Sequence, residues 1–212
     1  MKNLENIRFD VRECIKQLKA FKNLLDSKKE LAEGKDILPF FKQNNHLSAY
    51  IASFNPNITE YDRIAYEFDI WGDFKTDLAV GDSKSRAFCF IEFEDAKKNS
   101  IFKTAGIKSA TEWSPRFEHG LSQIVDWFYK LEDQRSTRDF RLKFGGEDVT
   151  YIGVLVVGRS HFVNEKNKSR LNWRSDKMII NSVPILCLTY DELYFKLNSR
   201  LQLFKAAYEL EQ

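Results

Sequence analysis

The apolar run Tyr151–Val157 (YIGVLVV) constrains the fold most, because it offers no polar face to water. A run of this kind is what a strand covered on both faces looks like, so its sheet needs helices on each side. Four segments can supply them. Ile7, Val11, Ile15, Leu18 and Leu25 follow helical spacing, with Lys16, Lys19 and Lys22 largely outside the stripe. A second helix runs from about Asp36 to Tyr50 through Leu38, Phe40, Phe41 and Leu47, with Pro39 in its first turn. Ser114 and Pro115 make the cap and first position of a third, which carries Phe117, Leu121, Ile124, Val125, Phe128 and Leu131. Thr189-Tyr-Asp-Glu192 is a capping box for a last helix through Leu193, Leu197 and Leu201.

Between the second and third helices the period changes to two. Ile64, Tyr66, Phe68 and Ile70 alternate with Arg63, Ala65, Glu67 and Asp69. Thr76–Val80 and the aromatic-rich Ala87–Glu94 follow after short connections, which predicts an antiparallel meander. Val183–Leu188 is a further strand. The order helix, helix, three strands, helix, strand, strand, helix predicts an α/β (α+β) fold, a mixed central sheet flanked by helices. Residues 1–32 read as an N-terminal helical segment, separate or packed on the sheet, and residues 33–212 as the main domain.

The net charge is only +2, so global charge says nothing about nucleic acid. Its distribution says more: residues 60–95 carry a net of −6 and residues 159–177 a net of +4. A cation site beside a phosphate-binding stretch would look like this, and so would two unrelated solvated faces. Cys14, Cys89 and Cys187 are far apart, odd in number and without zinc spacing, as free thiols in a reducing cytosol would be. The charged N-terminus is unlike a signal peptide, and no apolar run approaches the ~20 residues that cross a bilayer. The expectation is a cytoplasmic protein without a membrane partner.

Chemistry concentrates on the second and third strands. Glu92 and Glu94 are two residues apart and share a face, and an antiparallel neighbour can bring Asp77 beside Glu92. Hard divalent cations such as Mg²⁺ take carboxylate oxygens of this kind. The same alternation also suits an exposed sheet face with solvated glutamates.

At these residues a resemblance enters. Thr76-Asp77-Leu-Ala-Val-Gly followed by Phe90-Ile-Glu92-Phe-Glu94 is similar to the Asp…Glu-x-Lys core of PD-(D/E)xK nucleases. His119-Gly-Leu-Ser-Gln123-Ile-Val-Asp126-Trp127 resembles the glutamine-bearing helix of the Shedu anti-phage defence family. Val156-Val-Gly-Arg159 is similar to that family's GR strand end, Thr189-Tyr-Asp-Glu-Leu193 to its TYD-x-L motif, and Ile37–Asn45 to its opening helix. The match runs in order over roughly residues 33–200.

The resemblance implies a DNA endonuclease of antiviral defence. Asp77 and Glu92 would hold Mg²⁺ (or Mn²⁺), Glu94 and Gln123 would complete the catalytic set, and Glu33 or Asp36 would add an acid from the opening helix. Arg159, His161, Arg170 and Arg174 are the candidate DNA contacts, and a homo-oligomer is expected by analogy with other sheet nucleases. The sequence departs from the family at Glu94, where a lysine is usual. Lys97 or Lys98 could replace it, or Glu94 could work in its place. The alternative is a catalytically inactive nuclease-fold module that binds or senses nucleic acid. His119 reads as structural or exposed. Paired-carboxylate glycoside hydrolysis would need an aromatic-lined sugar cleft, which nothing in the sequence identifies.

Overall fold

The structure is a computed structural model, and it describes residues 2–104 and 111–210. Strands and helices in chain order are β1 (Glu5–Asn6), α1 (Val11–Ser27), α2 (Leu38–Gln43), α3 (Asn45–Tyr50), β2 (Arg63–Ile70), β3 (Phe74–Asp82), β4 (Ala87–Phe93), β5 (Phe102–Lys103), β6 (Glu112–Trp113), α4 (Pro115–Gln134), α5 (Arg138–Phe144), β7 (Thr150–Val156), α6 (Glu165–Lys177), β8 (Ile179–Ile180), β9 (Val183–Leu188) and α7 (Tyr190–Leu210). Seven strands form one mixed sheet in the order β1-β2-β3-β4-β7-β9-β8. The β2-β3-β4 meander is antiparallel, whereas β4-β7 and β7-β9 are parallel. This is the α+β architecture that the sequence predicts.

Helices cover both faces. On β4 every residue is buried, and alternation sends Ala87, Cys89, Ile91 and Phe93 into one core and Phe88 and Phe90 into the other. The first core is closed by α1, α2, α3 and α7, and the second by α4, α5 and Leu171 of α6. β7 is the two-faced strand of the apolar run, with Ile152 and Val154 on one side and Tyr151 and Leu155 on the other. At Gly153 an added Cβ would lie 2.5 Å from Ile124 Cγ2, so α4 crosses the sheet where β7 has no side chain to hold it off.

Several elements differ from their expected extents. The second helix is interrupted at Asn44, after a π-helical turn over Glu33–Ile37. Glu67 breaks the alternation of β2 with a φ of 53°. The polar stretch after residue 160 forms helix α6, capped by Asn164. Residues 1–32 do not stand apart. β1 pairs with β2, Leu31 bridges Ala96, and Cys14, Leu18, Phe21 and Leu25 of α1 lie in the first core with Phe41 and Leu197. No helix among the described residues is long and apolar enough to cross a membrane.

Candidate functional site

The ladder between β3 and β4 pairs Leu78 with Ile91, and its next step brings Asp77 across from Glu92. Both follow the parity of Ala79 and Phe90, so they point to the α4 face of the sheet. There the pairing ends. Asp77 Oδ2 instead accepts the Phe93 N–H at 2.8 Å, which aims the carboxylate toward the end of β4. One residue beyond the strand, Glu94 is held by its main chain: its N–H donates to Val156 O at 2.9 Å, and its carbonyl accepts the buried Tyr190 hydroxyl at 2.7 Å.

The N-terminal half of α4 lies over these acids. Ser114 caps it, accepting from the Phe117 N–H at 3.0 Å. Gly120 allows the approach, since a Cβ there would lie 2.7 Å from Leu155 Cδ1 and 3.2 Å from Glu94 Cγ. One turn further, the Gln123 amide donates to Glu92 Oε1. Arg116, in the first turn, reaches back over the mouth of the site. Its Nη1 lies 2.6 Å from Glu94 Oε2 and 3.3 Å from Glu33 Oε2, and its Nη2 lies 3.4 Å from Asp95 Oδ2. Asp95 in turn accepts the Glu33 N–H at 2.8 Å, tying the opening turn to the end of β4.

The result is a cleft of about 800 Å³ lined by Glu33, Lys75, Thr76, Asp77, Glu92, Glu94, Arg116, His119 and Gln123. Its electrostatics are strained. Burial raises the Asp77 and Glu92 carboxyls, and their neighbouring acids raise them further. Burial also raises Glu94 and Glu33, with Arg116 pulling both back. Acids kept together out of water take up protons unless a cation offsets their charge. Hard oxygen donors on adjacent strands, beside a buried Thr76 hydroxyl without a partner, fit a divalent ion such as Mg²⁺. Among the described residues, however, no three His, Cys, Asp or Glu side chains are already gathered as a metal cluster. The reason is visible in the hydrogen bonds: Asp77 faces the Phe93 N–H, Glu92 faces Gln123 and Glu94 faces Arg116. A cation would compete with Arg116 for Glu94, whereas Gln123 engages only one oxygen of Glu92.

The structure brings together Asp77, Glu92, Glu94 and Gln123. It also separates the two candidate acids of the opening helix. Glu33 lines the cleft, whereas Asp36 pairs with Lys28 at 2.5 Å and accepts the Ala32 N–H. His119 is an exposed residue at the cleft edge. Lys97 pairs with Asp95 at 2.7 Å, and neither it nor Lys98 lines the cleft. The cations that do are Arg116 and Lys75, both missed from the sequence. For Arg116 a signal exists, since it follows the Ser114-Pro115 helix start and so belongs to the turn nearest the strand ends.

The four candidate DNA contacts lie elsewhere. Arg159 is buried: its guanidinium pairs with Asp191 at 3.0 Å and donates to the carbonyls of Leu25 and Lys28 at 2.9 and 2.8 Å. Buried in this way it is not presented to a phosphate, so the expectation is corrected, and the Gly-Arg and Thr-Tyr-Asp motifs turn out to be two halves of one ion pair. His161 is exposed, its ring tilted against that of Phe162. Arg170 donates to the Thr111 carbonyl at 2.9 Å and lies over Phe102 and Trp113. Arg174 makes a two-pronged contact with Glu118 at 2.6 and 2.7 Å and covers Trp113 and Phe117. Arg174 is therefore paired with an acid, and both arginines lie on the flank of α4 away from the cleft acids.

No curated protein matches the chain. A family model described as Shedu protein SduA, C-terminal, matches residues 30–194, and the chain therefore belongs to the Shedu family of anti-phage defence proteins.

Proposed function

We propose that this protein is a metal-dependent DNA endonuclease with a PD-(D/E)xK-type core. The observation that carries the reading is the convergence of buried Glu92 and Glu94 with Asp77 on one sheet face, under a helix whose Gln123 contacts Glu92. Asp77 and Glu92 would hold Mg²⁺ or Mn²⁺, with Glu33 at the same cleft. Such an ion supplies Lewis acidity toward the scissile phosphate and a water of lowered pKa. Gln123 orients the Glu92 carboxylate. Glu94 is positioned through its main chain to accept the proton of the attacking water on Oε1, the oxygen that Arg116 does not engage. Lys75, exposed at the cleft and without an ion pair to a described residue, and Arg116 are the nearest cations for DNA phosphates. His161, Arg170 and Arg174 would contribute only a flank.

Incubation of linear and circular DNA with the protein, with and without Mg²⁺ or Mn²⁺, tests this. We expect divalent-dependent cutting by the parent and a fall of at least about 10²-fold in Asp77→Asn, the scale of losing one preorganised electrostatic group. A second reading, a non-cutting module that binds or senses nucleic acid, is favoured by one observation: Glu94 is already satisfied by Arg116 where the family carries lysine. DNA binding with no cutting under any divalent ion would select that reading.

A further inference from the structure

Arg116 and Glu94 form an unequal pair. The Glu94 side chain is 3% exposed and the Arg116 side chain 43%. Glu94 cannot leave, because both its backbone N–H and its carbonyl are engaged with β7 and Tyr190. Arg116 can, because it reaches the site on a long side chain from the first turn of α4, at the water-facing rim. Three acids, Glu33, Glu94 and Asp95, share this one guanidinium. A divalent ion seated among Asp77, Glu92 and Glu94 would offset the same negative charge from inside, leaving Arg116 as surplus positive charge at the cleft mouth.

We infer that Arg116 is a displaceable cation: it latches Glu94 while the cleft is free of metal, and metal entry turns it outward to bind the DNA phosphate in place of the lysine that position 94 lacks. Like-charge competition is the physical basis, since an arginine within contact distance of a metal ligand opposes the metal. Its planar, paired donors suit a phosphate once they are released. The inference rests on the nuclease reading above, and its test separates the two.

Mn²⁺ binding measured by calorimetry without DNA, on the parent, Arg116→Ala and Arg116→Lys, is the first readout. Arg116→Ala should bind Mn²⁺ about tenfold more tightly, the order expected when one like charge is removed from beside a half-exposed ion. Its DNA cutting should nevertheless fall by about 10²–10³-fold, as when one transition-state donor is lost. Arg116→Lys, which keeps the charge and most of the fold's contacts, should recover part of the rate and the parent's metal affinity. Unchanged Mn²⁺ affinity in Arg116→Ala overturns the latch, and cutting at the parent rate overturns the phosphate role. If the parent cuts and Asp77→Asn does not, either result sinks the inference alone. A parent that neither binds Mn²⁺ nor cuts removes the nuclease reading and the inference together.

Discussion

Asp77 and Glu92 were legible in the sequence because antiparallel strands of period two leave little freedom: once Leu78 pairs with Ile91, the acids one step along must share a face. Arg159 was misread because its type and place, a cation just past a strand end, do not say whether it faces water or carbonyls. Its partners lie 131, 134 and 32 residues away, beyond any local pattern. Asp191→Ala would leave that guanidinium buried and uncompensated, and should cost about 3–5 kcal/mol of stability in thermal or urea unfolding. Asp82, the last residue of β3, gives a pH-dependent counterpart. It accepts from the backbone of Thr59, Glu60, Lys84 and Ser85 and from the Thr59 hydroxyl, and these donors hold its carboxyl well below the ordinary value of 3.8 despite burial. A depressed folded-state pKa means that the stabilisation is complete above the unfolded value and is lost as pH falls below it. Asp82→Asn should therefore be less stable than the parent by about 2 kcal/mol near pH 7, with the gap closing below about pH 3. A gap that persists at low pH would assign the effect to packing instead.

Among the elements, the long amphipathic helices and the buried strands could be read from periodicity, and the weakly patterned ones could not. Only Asn167 and Leu171 of α6 are buried, so its sequence looks like a solvated loop. Strands β1, β5, β6 and β8 have two residues each, too short to show a period. α4 was readable as a helix, but its height above the sheet was not, because that depends on glycines that leave no pattern. Gly120→Ala tests this height. The added methyl would have to push Leu155 Cδ1 and the Glu94 stem aside, which should cost about 1–3 kcal/mol by overpacking. The same shift moves Arg116 and Gln123 relative to their acids, so metal affinity should change beyond what the stability loss explains. A variant with lower melting temperature and unaltered Mn²⁺ affinity would show that α4 lifts as a unit without disturbing the site.

For the whole molecule, the two-sided burial of β7 predicts the layered α+β architecture, and the structure bears it out. Of the two arrangements open to residues 1–32, α1 takes the one packed on the sheet, and the contact between Arg159 and the carbonyls of Leu25 and Lys28 at its C-terminal end makes the point concrete. The family match begins at residue 30, so a fragment started there would keep Arg159 and Asp191 yet lose both carbonyls. Leu18, Phe21 and Leu25 would go with them, roughly 5–9 kcal/mol of apolar burial against the 5–15 kcal/mol by which a whole domain is normally stable. The segment that the family model matches is therefore smaller than the body that folds around it. Any transplant of this unit into another protein must carry the first helix with it, and swapped segments ending at the family boundary should be recovered as aggregates rather than as soluble hybrids.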